Sequence, residues 1–224
     1  MNLLSGDWWC GYAITANYGG EVLLPILNSF VFAEGAGEEL LIQSYTESAL
    51  VSIPQISTLG ENIRLYAAGD GQLDLDNLIE FAAQVELYDG ATLVLPGITS
   101  LSPQTQRNIT LSGENTLLLL PETISMTNYS LSIQQGASLD VPLLETITGS
   151  QLQVAAPLEF PSLDQLEVQY AIVHDTGMLG LPNLTQITGL TSAYISVYGN
   201  GILDAPQLTS IQDVALNAHG GAEL

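Results

Sequence analysis

The segment Leu179-Gly-Leu-Pro182-Asn-Leu-Thr-Gln-Ile187 returns 24 residues later as Leu203-Asp-Ala-Pro206-Gln-Leu-Thr-Ser-Ile211. The shared frame is aliphatic, any, apolar, Pro, any, Leu or Ile, any, any, apolar. It fits nine times, starting at Val22, Val51, Leu73, Leu93, Leu118, Leu139, Leu158, Leu179 and Leu203. Asp76 stands in for the Pro once and Thr123 for the Leu or Ile once. Successive starts lie 29, 22, 20, 25, 21, 19, 21 and 24 residues apart. Such a period is the mark of a repeat architecture, with the unequal spacings absorbed as loops.

Between these segments runs a second apolar stretch with a period of two. Examples are Ile63 and Leu65, Val85 and Leu87, Ile109 and Leu111, Leu131 and Ile133, Leu152 and Val154, and Val214 and Leu216. Alternation of this kind puts one face of a strand inward. Glycine bends follow, as at Gly69-Asp70-Gly71 and Gly199-Asn200-Gly201. A single coil of about 22 residues cannot bury its own apolar face, whereas stacked coils bury one another's. The expected fold is all-β, a right-handed parallel β-helix or solenoid with coils of about 22 residues. It covers 22–224, and residues 1–21, with Trp8 and Trp9, form an N-terminal cap. An antiparallel sandwich with Pro-containing turns fits nine in-phase repeats poorly, and helical arrays fit worse.

Composition narrows the partners. The 224 residues carry 24 Asp plus Glu against two Arg and no Lys, a net charge of −22, while 46% are hydrophobic. A surface of that sign repels phosphate, so anionic membranes are poor partners and no nucleic-acid partner is expected. No stretch approaches the roughly 20 apolar residues of a transmembrane helix. The N-terminal residues do not read as a signal peptide. The single cysteine, Cys10, reads as a packed thiol. The sequence ends at Ala222-Glu223-Leu224, where another Leu-x-apolar-Pro segment would start. The C-terminal end is therefore expected to be covered by more chain, a partner, or a second copy stacked end to end.

The segments Leu181-Pro-Asn-Leu-Thr-Gln-Ile187 and Ala205-Pro-Gln-Leu-Thr-Ser-Ile211 resemble the P-x-L-T-x-I heart of divergent leucine-rich repeats. They are similar in particular to the receptor L-domain-like repeats of fungal Ecm33-type cell-wall proteins, and secondarily to the BspA-like surface repeats of bacteria. The Asn expected after the Leu-x-Leu strand is mostly absent, Asn217 being the nearest match. The resemblance therefore implies a closed β-helix rather than an asparagine-laddered horseshoe.

Candidate chemistry is sparse. Asp140, Glu159 and Asp204 share one repeat position and are the weak candidates for the paired carboxylates of a glycoside hydrolase. Their place between inward apolar residues makes them an outward, solvated face. A lyase needs Lys or Arg near its acidic sugar, and only Arg64 and Arg107 are present, in different coils. His174 and His219 sit at surface bends with no partners at metal-ligand spacing, so no metal and no cofactor are expected. The Asp-Gly bends at Asp70 and Asp89 read as turns rather than calcium loops. Asn108, Asn128 and Asn183 head glycosylation sequons. The third residues after Pro are too irregular for the threonine ladder of an ice-binding face. The expected function is a non-enzymatic structural or adhesive module, extracellular or at the cell surface, whose partner is a protein or carbohydrate. The alternative is a carbohydrate-active β-helix enzyme.

Overall fold

The computed structural model describes residues 12–32, 39–46 and 48–222, and among these every regular element is a strand. Trp8, Trp9 and Cys10, assigned to the cap from sequence, lie outside the described residues. The chain is a parallel β-solenoid, each coil stacking on the coil about 22 residues before it, as in the registers Val51↔Leu73 and Leu65↔Val85. The ladder already includes Tyr12–Asn17, which pairs in parallel with Leu40–Tyr45.

A typical coil has three strand segments. The first is short and carries the Leu-x-apolar motif, as in Thr92–Val94 or Met178–Gly180. The second, as in Thr58–Leu59 or Ser125–Thr127, follows the Pro. The third is long, as in Ile63–Ala68 and Arg107–Ser112. In the C-terminal coils the second and third merge into bent strands such as Gln165–Val173 and Gln186–Tyr198. At the bend one residue takes a left-handed conformation: Asn128 (φ 58°), Gly149 (63°), Ser192 (63°) and Asp213 (57°). Short polar side chains and glycine are the ones that tolerate it.

The repeat motif now has a physical meaning at each place. Its first aliphatic residue forms an inner column: Leu93, Leu118 and Leu139 stack in register, as do Leu158, Leu179 and Leu203. All six are buried. Pro occupies the second position of a β-turn, where its fixed φ is pre-set. The turn closes with the N–H three residues on donating to the carbonyl of the residue before Pro, as in Leu144 to Val141 (3.2 Å) and Leu184 to Leu181 (3.3 Å). The next residue often bridges coils: Asn77 donates to the Pro54 carbonyl at 2.5 Å, Ser162 to Pro142 at 2.7 Å and Asn183 to Pro161 at 2.7 Å. Thr123, the motif's exception, sits fully buried in the Leu/Ile column, and its hydroxyl donates to the Ile98 carbonyl at 2.7 Å. A buried hydroxyl with a partner costs little.

The short-strand face is split into a six-stranded and a three-stranded sheet between Ala137–Asp140 and Pro157–Glu159. Pro157 explains the break. In neighbouring coils the residue at its place donates across the ladder, as Met178 does to Ala156 and Ile202 to Gly177. Proline has no N–H to give. The 25-residue spacing after Leu93 is accommodated by a loop at Ser102–Gln106 tied down by Glu61. The Glu61 carboxylate accepts from the backbone N–H of Gln104 and of Thr105, from the Thr105 hydroxyl at 2.6 Å and from Arg107 at 3.1 Å. Burial works to raise its pKa, but these hydrogen bonds and the Arg107 charge outweigh it, and the carboxyl is held below its ordinary value. On the last described strand, Ser210–His219, Ile211 and Leu216 are 39% and 38% exposed, whereas Ile187 and Ile195 one coil earlier are fully buried.

Candidate functional site

Strand alternation sends every second residue of the long segment outward, and stacking aligns these residues into three rows across the coils. One row runs from Ala13 through Arg64 and Gln151 to Tyr170, Tyr194 and Ala215. The middle row runs from Thr15 through Tyr66, Glu86 and Gln153 to Ser196 and Asn217. The third runs from Asn17 through Tyr45 and Tyr88 to His174, Tyr198 and His219. Together they form a broad face of amide, hydroxyl and aromatic side chains.

The charged residues in these rows are Arg64 and Glu86, one coil apart and paired at 2.6 Å. Glu86, only 9% exposed, also accepts from the Gln84 amide at 2.5 Å. Burial works to lower the pKa of Arg64, but the hydrogen bond and charge of Glu86 outweigh it, and the pKa is raised. Tyr66 and Tyr88 stand against each other with ring centroids 5.6 Å apart. Burial first, and then the Glu86 charge, push both phenols above their ordinary range. The face is thus neutral overall on a chain of net charge −22.

Hydrogen bonds between coils hold its side chains in place. Asn17 donates to the Tyr45 hydroxyl (3.0 Å), Gln43 to Thr15 (2.8 Å), Ser112 to Gln134 (2.8 Å), Gln151 to Gln169 (2.7 Å) and Gln153 to the Tyr170 hydroxyl (3.2 Å). Near the C-terminal end the rings form two stacks. Tyr170 and Tyr194 lie 5.6 Å apart at 14°. His174, Tyr198 and His219 form a three-ring stack, with separations of 6.4 and 4.6 Å. Sequence reading placed both histidines at separate surface bends and missed that they flank one tyrosine. The signal was present: His174, Tyr198 and His219 each immediately precede the turn of their coil.

A cleft of about 350 Å³ lies beside this face, over the second segments of three coils. Thr148, Gln165, Gln186 and Thr188 line it together with the carboxylates of Asp164 and Glu167. The sequence-derived acids are elsewhere. Asp140, Glu159 and Asp204 are all exposed on the short-strand face, Asp140 in one sheet and the other two in another. Gly180 separates Glu159 from Asp204 in the ladder. None of the three lines the cleft. Of the sequon asparagines, Asn108 is exposed on the long face; Asn128 donates to the Pro103 carbonyl at 3.1 Å, and Asn183 to Pro161. Among the described residues no group of three or more His, Cys, Asp or Glu is placed to hold a metal ion. No helix there is long and apolar enough to cross a membrane.

No protein-family model, curated protein or solved structure matches this chain.

Proposed function

We propose that this protein is a non-enzymatic structural and adhesive module of the extracellular or cell-surface space, which binds its protein or carbohydrate partner through the long outward face. The observation that carries this reading is a neutral, pre-ordered face on a strongly acidic body. Acids elsewhere repel other copies and wrong partners. The face itself can meet a partner without stripping water from unpaired charge. Its side chains are already fixed by hydrogen bonds, which lowers the entropy lost on binding. The likeness of Leu181–Ile187 and Ala205–Ile211 to repeats of cell-wall and surface proteins supports the same reading.

The test introduces charge where the face has none. Thr110 and Ser132 are adjacent in the middle row. The double variant Thr110→Glu/Ser132→Glu is expected to lose about tenfold or more of its retention on a cell-wall or matrix preparation. Its stability should fall by no more than about 2 kcal/mol, from the repulsion of two carboxylates set opposite each other and beside Glu86; the fold is checked by its unfolding transition. Retention equal to that of the unaltered chain contradicts the reading.

The acidic cleft favours a second reading, a carbohydrate-active β-helix enzyme. It would be established by turnover of a glycan that Asp164→Asn and Glu167→Gln each abolish.

A further inference from the structure

We infer that the notch between Tyr194 and the strand Ser210–His219 is a binding site for a neutral hexopyranose polymer; this rests on the adhesive reading of the long face and names its ligand class. One face of the Tyr194 ring is covered by Tyr170. Its other face turns toward the next coil, where the residue in register is Ala215. A methyl group cannot cover a phenol ring, so that face is left open above a small floor. Along the same strands stands the Tyr198–His219 pair, four residues away, about 13 Å at the rise of a strand. Between them lie Ser196 and Asn217, whose amide donates to the Ser196 hydroxyl at 3.3 Å.

This arrangement suits a pyranose ring. Its C–H face packs on an aromatic face, and its hydroxyls both donate and accept, matching the Asn217 amide beside the ring, which the buried Ser196 hydroxyl holds in place. A polymer lying on Tyr194 reaches, about two or three sugars on, the rim of the stack in which Tyr198 lies between His174 and His219. Charge selects the neutral class. In the three rows from Gln151 onward no carboxylate, Lys or Arg occurs, although the chain holds 24 acids. Within these rows a basic ligand would find no counter-charge, the exposed Asp213 standing at the bend of the strand outside them, and an acidic polymer would be held off by the rest of the surface. Nearby Asp175 is occupied, accepting from the Asn200 N–H at 2.9 Å.

The experiment is retention of the full chain on insoluble cellulose, β-1,3-glucan and chitin, with polygalacturonate as the acidic comparison, at low salt and in 1 M NaCl. The expected result is retention on at least one neutral polymer, unaffected by salt, and none on polygalacturonate. Tyr194→Ala should weaken it by about tenfold or more, and Tyr198→Ala, whose ring offers only its edge, by a smaller factor, with melting temperatures unchanged. Asp204→Asn, on another face, should bind as the unaltered chain does. Retention on none of the neutral polymers overturns the inference, as does retention that both tyrosine variants keep. If matrix retention is lost in Thr110→Glu/Ser132→Glu but kept in Tyr194→Ala, the adhesive reading stands and the sugar site fails.

Discussion

Phe160→Ala is expected to lower the unfolding free energy by about 3–5 kcal/mol, the range for emptying a large core site. Phe160 is fully buried and is among the largest such side chains in the described residues. It holds the motif position before Pro161, and its N–H donates to the Gly180 carbonyl of the next coil at 3.0 Å. The equivalent positions in adjacent coils, Val141 and Leu181, are also buried. The Val141 coil is laddered to the coil before it and the Leu181 coil to those on either side, so the space left by a phenyl ring cannot readily close. Phe160→Leu restores the residue type that Leu75, Leu95, Leu120 and Leu181 hold at this position and should cost less than about 1.5 kcal/mol. Denaturant unfolding reads both. Equal losses in the two variants would mean that volume at this column is not what holds the coils together.

Gly177→Ala is expected to cost about 1–3 kcal/mol although it adds a single carbon. Gly177 is buried at the corner where the long segment turns into the short one. A Cβ there would fall on the Val154 carbonyl oxygen of the preceding coil. That carbonyl accepts the His174 N–H at 2.8 Å, so it cannot move aside without loosening the ladder. The column through this corner is small in every coil: Ala49, Gly71, Ala91, Thr116, Ala137, Ala156, Gly177 and Gly201. Gly60→Ala makes the comparison, because nothing lies within 4 Å of a Cβ there. It should be neutral or stabilising by about 0.4–1 kcal/mol. A Gly177→Ala variant as stable as Gly60→Ala would contradict the close packing of this corner.

The architecture was legible because its period is written in residues that have few substitutes. Leu and Ile fill the inner columns, and Pro pre-sets the turn, so Leu158-Glu-Phe-Pro161 and Leu179-Gly-Leu-Pro182 align by eye. The small corner column was less visible, because Ala, Gly and Thr are common everywhere. The long face was hidden for a different reason. Its outward positions tolerate many residue types, and coil lengths vary from 19 to 29 residues, so neighbours on the face have no fixed separation in sequence. Arg64 and Glu86 differ by one ordinary coil of 22 residues, yet they read as unrelated charges. Tyr129 was similarly opaque. It is fully buried and its hydroxyl donates to the Ala83 carbonyl at 3.2 Å, 46 residues back, which sequence spacing does not reveal. Asp140, Glu159 and Asp204 are outward, as their place in the motif implies, but outward on a face away from the aromatic rows and the cleft.

The central claim is that the long face is the one that meets the partner. Hydroxyl-radical footprinting of the chain, free and retained on a cell-wall or matrix preparation, tests it most directly. The account predicts protection of Tyr66, Tyr88, Tyr170, Tyr194 and Tyr198, with Met178 and Ile202 on the short-strand face modified equally in both states. Protection of Met178 and Ile202 with the five tyrosines unchanged would contradict it.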